Sequence, residues 1–495
     1  MKQLLASGVV MAAALGLAGL VLGADSAAPA AKTPAADHQA GAVQEQESVS
    51  QYGITWTFDQ KVPVGRFITG DYYVVGPVTV KSVAPAPTGA GKEFRNGSML
   101  NPPMETSFGY DGRDAKYLNA KLTAKFPVAM TPGDALVSTI GYEAPHKVEP
   151  HVLTGHNHGE KSEGWIKTAA VLTCLKEAAP ADTFRPSYAG HQPKLYHFSD
   201  LHLELLPALE PTASAPPLAL YERVFERPWI DHVYNWGSRS VHPTENMPDY
   251  GREIGRAVGE ASLLLMCNYP LEQKKKLLAE FVQDGIDLWG VVQRGGQGWP
   301  AQGGFGNGRK WPIVFAGLLF EDAEMQKPKA EFDEDQHTGL GPCWTGAGVV
   351  FTGQYPDAYR DNPKRYADRG PYETLPPDKW PGQNKTMSEG YRRTCSLSYV
   401  GQALAARLMK AEQAWDHEAF FLYVDRWMYE DYTPFAKVIK EVYKVSYSKG
   451  ADQGQCWEPF VNEMWAKYRT TLAAPIDGWK KAHENAAGPA ADTAK

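Results

Sequence analysis

Apolar and polar residues alternate through the first part of the chain. Tyr52 to Phe58 alternates one by one, as a half-buried strand does. Phe67 to Val80 holds two β-favouring runs around Gly70-Asp71, a turn signal. Pro63, Pro77, Pro85, Pro87, Pro102 and Pro103 punctuate the region. Trp165 to Leu175 is a largely apolar run that fits either a strand or a short helix. Many short strands with turn signals predict a β-rich, sandwich-like domain over residues 51–220. Within it, Pro207, Pro211, Pro216 and Pro217 read as a linker.

From residue 228 the period lengthens. Ile254, Val258, Ala261 and Leu265 form a helical stripe over 250–268. After Pro270 a second helix spans 271–292, with Leu277, Leu278, Phe281, Ile286, Leu288 and Val291. A glycine-rich loop, Gly295 to Gly308, leads to a helix over 311–325. Residues 326–387 show no period, and aperiodic stretches of that length usually carry function or move. Helices return at 390–411, 414–431, 434–446 and 457–471. Helix pairs joined by short turns, at 250–292 and 390–431, predict an (α/α) toroid-like domain over 228–475, with a tail over 476–495. The fold class expected is α+β and multidomain.

The 495-residue length suits two or three domains that need no metal or disulfide to build a core. Residues 1–24, with Lys2 followed by an uncharged apolar run, read as a secretory signal peptide, so the protein is expected to be secreted or periplasmic. Residues 25–50 are rich in Ala, Pro, Gln and Glu and read as a disordered linker. No later segment is apolar enough for stable membrane insertion once the signal is cleaved. The net charge of −7 argues against a nucleic-acid partner. Five scattered cysteines include no CxxC pair, which excludes a zinc ribbon. GxxxxGK[ST], GxSxG and HExxH are absent, against nucleotide, serine-hydrolase and metzincin sites.

Three helix starts share a faint pattern: Arg252 then Gly259, Arg309 then Gly317, Arg393 then Gly401. Glycine inside a helix costs about 1 kcal/mol relative to Ala, so a repeated one suggests close helix packing. Arginines at helix N-termini add to the positive end of the macrodipole and would make a cleft for anions. Acidic polysaccharides suit such a cleft, since arginine pairs bidentately with carboxylates and Tyr and Trp cover sugar faces. β-Elimination of a uronan needs a group neutralising the C6 carboxylate, a base for the C5 proton and an acid for the leaving oxygen. Candidates cluster at the helix starts. Tyr250 or Tyr391 would be acid or base, and His242 base or positioning group. Asn246, Arg252, Arg309, Arg392 and Arg393 would bind the carboxylate, and Trp299 would line the cleft.

A β-rich domain followed by helix pairs, with Asn, His, Tyr and Arg near helix starts, resembles the (α/α)-toroid polysaccharide lyases, such as alginate and glucuronan lyases. The resemblance spans residues 228–475 at the level of architecture, and no Asn-Asn-His-Ser string is present. It implies a Tyr/His acid–base pair, an Asn/Arg carboxylate neutraliser and an acidic polysaccharide as substrate. No cofactor is required by that chemistry. His151, His156 and His158 are spaced to bind zinc or another divalent ion such as calcium, or to form a solvated loop. Asp231, Glu245, Asp249, Asp333, Glu334 and Asp335 keep open a glycoside hydrolase with paired carboxylates. The run Glu331 to Asp335 also fits a solvated acidic loop. A non-catalytic glycan-binding protein is the third reading.

Overall fold

The computed structural model describes residues 41–143, 164–190, 194–301, 304–352, 373–379, 385–444, 453–480 and 482. The apolar segment 1–24 and the trio His151, His156 and His158 lie outside the described residues. Eight strands make one mixed sheet: β1 (Gln44–Gln51), β2 (Ile54–Arg66), β3 (Tyr72–Val75), β4 (Val78–Ala84), β5 (Ser98–Leu100), β6 (Val128–Met130), β7 (Ala135–Gly141) and β8 (Ile166–Leu175). The order is β5-β7-β8-β3-β2-β4-β6, with β1 also on β2, and only β3/β8 is parallel.

A single curled sheet replaces the expected sandwich. Its hub is β2, which pairs with β1, β3 and β4 at different points along its length. Register shifts in two of these ladders mark bulges, which bend and twist a strand. At Pro63 only β1 flanks β2, so a residue without an N–H is tolerated and the strand runs through it. The curl encloses its own apolar core, which includes Ile54, Trp56, Val64, Val80, Met130 and Leu172. Strand β1 lies within the segment read as a disordered linker; its backbone ladder with β2 and the buried Val49 hold it.

The helices are α1 (Leu218–Phe225), α2 (Gly251–Leu265), α3 (Leu271–Gln293), α4 (Lys310–Leu319), α5 (Ala323–Gln326), α6 (Asp333–His337), α7 (Lys385–Leu408), α8 (Glu412–Trp415), α9 (Glu418–Tyr429), α10 (Thr433–Tyr443) and α11 (Pro459–Tyr468). The aperiodic stretch holds short elements: β10 (Glu331–Phe332), which pairs with β9 (Gly298–Trp299) of the glycine-rich loop, and β11 (Thr338–Leu340), which pairs with β12 (Val349–Phe351). The α+β class therefore holds. Strands β7 and β8 are buried on both faces, with Leu136, Ala170 and Leu172 toward the curl and Val137, Ala169 and Val171 toward the helices. That double burial explains why apolar residues follow one another without alternation from Ala169 to Leu172. The outer face joins the helices in one continuous core reaching from Met99 to Trp479, so the change of texture near residue 220 is not a break between cores. Most tryptophans serve this interior: Trp229, Trp289, Trp299, Trp311, Trp415, Trp427, Trp465 and Trp479 are buried in it. All five cysteines are buried and free. Among the described residues, no helix is long and apolar enough to cross a membrane.

Candidate functional site

Helices α2 and α7 are packed through glycine. A Cβ added at Gly259 would lie 2.9 Å from both Gly401 Cα and Gln402 N, so no side chain fits between the backbones. Nearer the start of α2, Tyr250 interacts electrostatically with Tyr391 and Cys395 of α7. Both helices therefore run in the same direction; α7 begins at Lys385, earlier than the expected 390, so the start of α2 lies level with Tyr391 and Cys395, beyond the first turn of α7. The start of α4 joins them, since a Cβ at Gly308 would meet Gly255 N at 2.6 Å. Asn307 is bonded to α7, where its amide donates to Ser398 and its carbonyl oxygen accepts from Gln402 at 2.8 Å, and it packs on α2 at Gly255, where a Cβ would meet its Oδ1. The repeated glycine thus marks close packing at Gly259 and Gly401. Gly317 instead packs against Met325 and Gln326, in and beside the chain's own next turn.

Three predicted site residues form the wall behind this end. Arg309 is fully buried and grips Asp231, Nε to Oδ2 at 2.6 Å and Nη2 to Oδ1 at 3.3 Å. Its remaining nitrogen donates to the carbonyls of Phe305 and Asn307 at 2.9 and 2.8 Å. Burial alone would raise the Asp231 carboxyl, but Arg309 and His242 together hold it well below its usual value. His242 is fully buried, with Nε2 3.4 Å from Asp231 and Nδ1 3.2 Å from the carbonyl of Asp249. Asn246 donates to the carbonyls of Val224 and Arg227 at 3.2 and 3.1 Å, tying down the end of α1. The expected base His242 and carboxylate binders Asn246 and Arg309 are thus turned on protein partners, because each finds a counter-charge or a backbone carbonyl distant in sequence.

The start of α2 itself carries Tyr250 and Arg252, level with Tyr391 of α7. Tyr250, 2% exposed, holds the N-cap position of α2 and lies against Phe305 at 5.8 Å, and Phe305 in turn faces His242 at 6.3 Å and Arg309 at 5.8 Å. Burial, with added charge from Cys395, Tyr391 and Asp333, pushes its phenol well above the ordinary value, opposed by Arg252. Tyr391 is half-buried and packs on the main core. Arg252 is half-buried, pairs with Glu253 and lies over the Trp457 ring at 5.3 Å. Arg392 is drawn inward to Glu373 at 3.0 Å and to the Phe435 face at 4.2 Å, so it is a structural pair and not a rim cation. Arg393 is nearly buried on the same helix. Trp299 is buried and stacked on Phe332 at 6.2 Å, which removes it from any cleft wall.

Most of the acids proposed as glycosidase pairs are also spent. Asp231 is held by Arg309, Glu245 by Arg227, Asp249 by Arg239 at 2.9 Å, and Asp335 by Lys310 at 2.5 Å. Asp333 and Glu334 are wholly buried, contrary to a solvated acidic loop. Burial raises both carboxyls. Tyr399 donates to Asp333 Oδ1 at 2.6 Å, and Glu334 accepts the Gly308 N–H at 2.7 Å. Asp333 is joined by two residues that sequence reasoning did not single out, His337 and Cys395; donor atoms of all three lie within 4.8 Å of one another. The signal available was Asp333 and His337 four apart, one helical turn.

A second polar locus lies along α2. Tyr221, Glu253, Arg256, Glu260, Trp457 and Glu458 line a cavity of about 200 Å³. Burial, then the neighbouring Glu458 carboxylate, raises Glu260 to about 7, against its hydrogen bond from Tyr221 and the Arg256 charge. Arg256 pairs with Glu458.

The chain matches no known family model, no curated protein and no solved structure. Its functional reading rests on its own residues.

Proposed function

We propose that the protein is a polysaccharide lyase that cleaves a uronic-acid polymer by β-elimination at the start of α2, level with Tyr391 of α7. The observation that carries this reading is the parallel, glycine-packed pair, which gathers Tyr250, Tyr391 and Arg252 at the dipole-positive start of α2. In this scheme Arg252, with Arg393 beside Tyr391 on α7, neutralises the C6 carboxylate and acidifies the C5 proton. Tyr391, the more exposed phenol, takes that proton, and the buried Tyr250 protonates the leaving oxygen. Asp231, His242 and Arg309 keep the wall behind Phe305 rigid. The parallel α2/α7 pair would belong to the inner ring of a toroid, and the apolar segment 1–24 supports a secreted or periplasmic setting. The test is the ultraviolet absorbance of an unsaturated product from alginate or glucuronan, lost in Tyr391→Phe.

A second reading is favoured by the Glu260 cavity. Glu260, raised to about 7, and Glu458, which burial also raises against its Arg256 pair, are two neighbouring carboxyls of the kind glycoside hydrolysis uses, with Trp457 as a sugar platform. It predicts new reducing ends without unsaturation, abolished by Glu260→Gln.

A further inference from the structure

We propose that Asp333, His337 and Cys395 bind one divalent d-block cation of the zinc class. The three donor atoms, a carboxylate oxygen, an imidazole nitrogen and a thiol sulfur, lie within 4.8 Å of one another in a wholly buried site. Two donors bound to one tetrahedral zinc stand about 3.3–3.6 Å apart, and His337 Nε2 lies 3.7 Å from Asp333 Oδ2. That distance is too long for a hydrogen bond. Nδ1 of His337 lies 3.1 Å from the carbonyl of Thr352, which only accepts, so Nδ1 carries the proton and Nε2 is the nitrogen on the side of Asp333.

The surroundings also fit a ligand set. A metal-binding histidine characteristically donates its other N–H to a backbone carbonyl, and a metal-binding carboxylate is itself hydrogen-bonded. Here Thr352 supplies the carbonyl, and the Tyr399 hydroxyl holds Asp333 Oδ1 at 2.6 Å. The other oxygen, Asp333 Oδ2, is buried and has no hydrogen-bond partner among the described residues. A cation between these atoms would give that oxygen a partner. Imidazole with thiolate selects zinc-class ions, whereas calcium and magnesium take oxygen donors. Asp333 and His337 present their ligands from one face of α6, and Cys395 closes the site from α7, so the ion would pin the aperiodic region to the α2/α7 pair.

The experiment uses the full chain without substrate, so its outcome is independent of the lyase reading. Metal analysis of the purified protein should find one zinc per chain, and cobalt(II) exchange should give a thiolate-to-cobalt charge-transfer band. Cys395→Ser should remove that band, and His337→Gln or Asp333→Asn should weaken zinc binding at least tenfold. The triple variant His151→Ala, His156→Ala, His158→Ala should keep both the zinc and the band. The proposal is overturned if the wild type binds no zinc, or binds cobalt without a thiolate band, which needs no variant to fold. It is equally overturned if the band survives Cys395→Ser or vanishes only in the histidine triple variant.

Discussion

Replacing Glu280 by glutamine should make the protein more stable, and increasingly so as the pH rises. Glu280 sits on α3 at 3% exposure, and its Oε2 has no hydrogen-bond partner among the described residues. The cation beside it, Lys276, is 3.8 Å from the other oxygen, largely exposed, and shared with Glu222. Burial pushes the carboxyl from 4.5 to about 9, opposed by Lys276 and reinforced by the nearby Glu222, Glu226 and Asp71. The folded state therefore keeps a proton that the unfolded chain has already released. The stability contributed by the protonated acid is fully present below a pH of about 4.5 and is lost as the pH rises to about 9, at about 1.4 kcal/mol per pH unit. Between pH 4.5 and a pH of about 8 the loss reaches a ceiling of about 5 kcal/mol, reduced in practice by relaxation and water entry. Glu280→Gln cannot ionise, so its advantage over the wild type should grow across that window and level off above it. Urea unfolding of both proteins, followed by tryptophan fluorescence at several pH values, measures this directly. Wild-type and variant stabilities that run parallel in pH would refute the argument.

Three further outcomes follow from the same geometry. Gly259→Ala places a Cβ 2.9 Å from the backbone of α7 and should cost about 1–3 kcal/mol in urea unfolding. Gly390→Ala, in the same helix pair but with nothing within 4 Å, should instead gain up to about 1 kcal/mol. Asp231→Asn strands the buried Arg309 and should lose about 3–5 kcal/mol, part of which the added change Arg309→Met restores. Tyr250→Phe and Tyr391→Phe should each cut the rate of product formation by about 100-fold or more while the unfolding midpoint stays close to wild type.

Local pattern made some of this visible and long-range pairing concealed the rest. The stripe from Ile254 to Leu265 and the run from Leu277 to Val291 correspond to α2 and α3, whose apolar residues are legible although both helices are buried on nearly every side. Strand β1 reads Gln-Glu-Gln-Glu-Ser-Val-Ser-Gln, which has no alternation; only the ladder to β2 makes it a strand. Helix α1 was hidden behind the prolines that precede it, with Pro217 serving as its N-cap. At the site, Tyr250 and Tyr391 were legible as residues near helix starts. The inward turn of Arg309 was not, since its partner Asp231 lies far back in the chain. Asp333 was legible only as part of an acidic run, and its burial depends on Tyr399 and Cys395 arriving from α7.

The most direct measurement of the proposed activity is a spectrophotometric screen of the full chain against alginate, glucuronan and related uronans. A steady rise in the absorbance of the carbon–carbon double bond is predicted with at least one of them, abolished in Tyr391→Phe and in Tyr250→Phe. Folded protein that produces no unsaturated product from any uronan would contradict it, and new reducing ends in the same samples would transfer the activity to the Glu260 cavity.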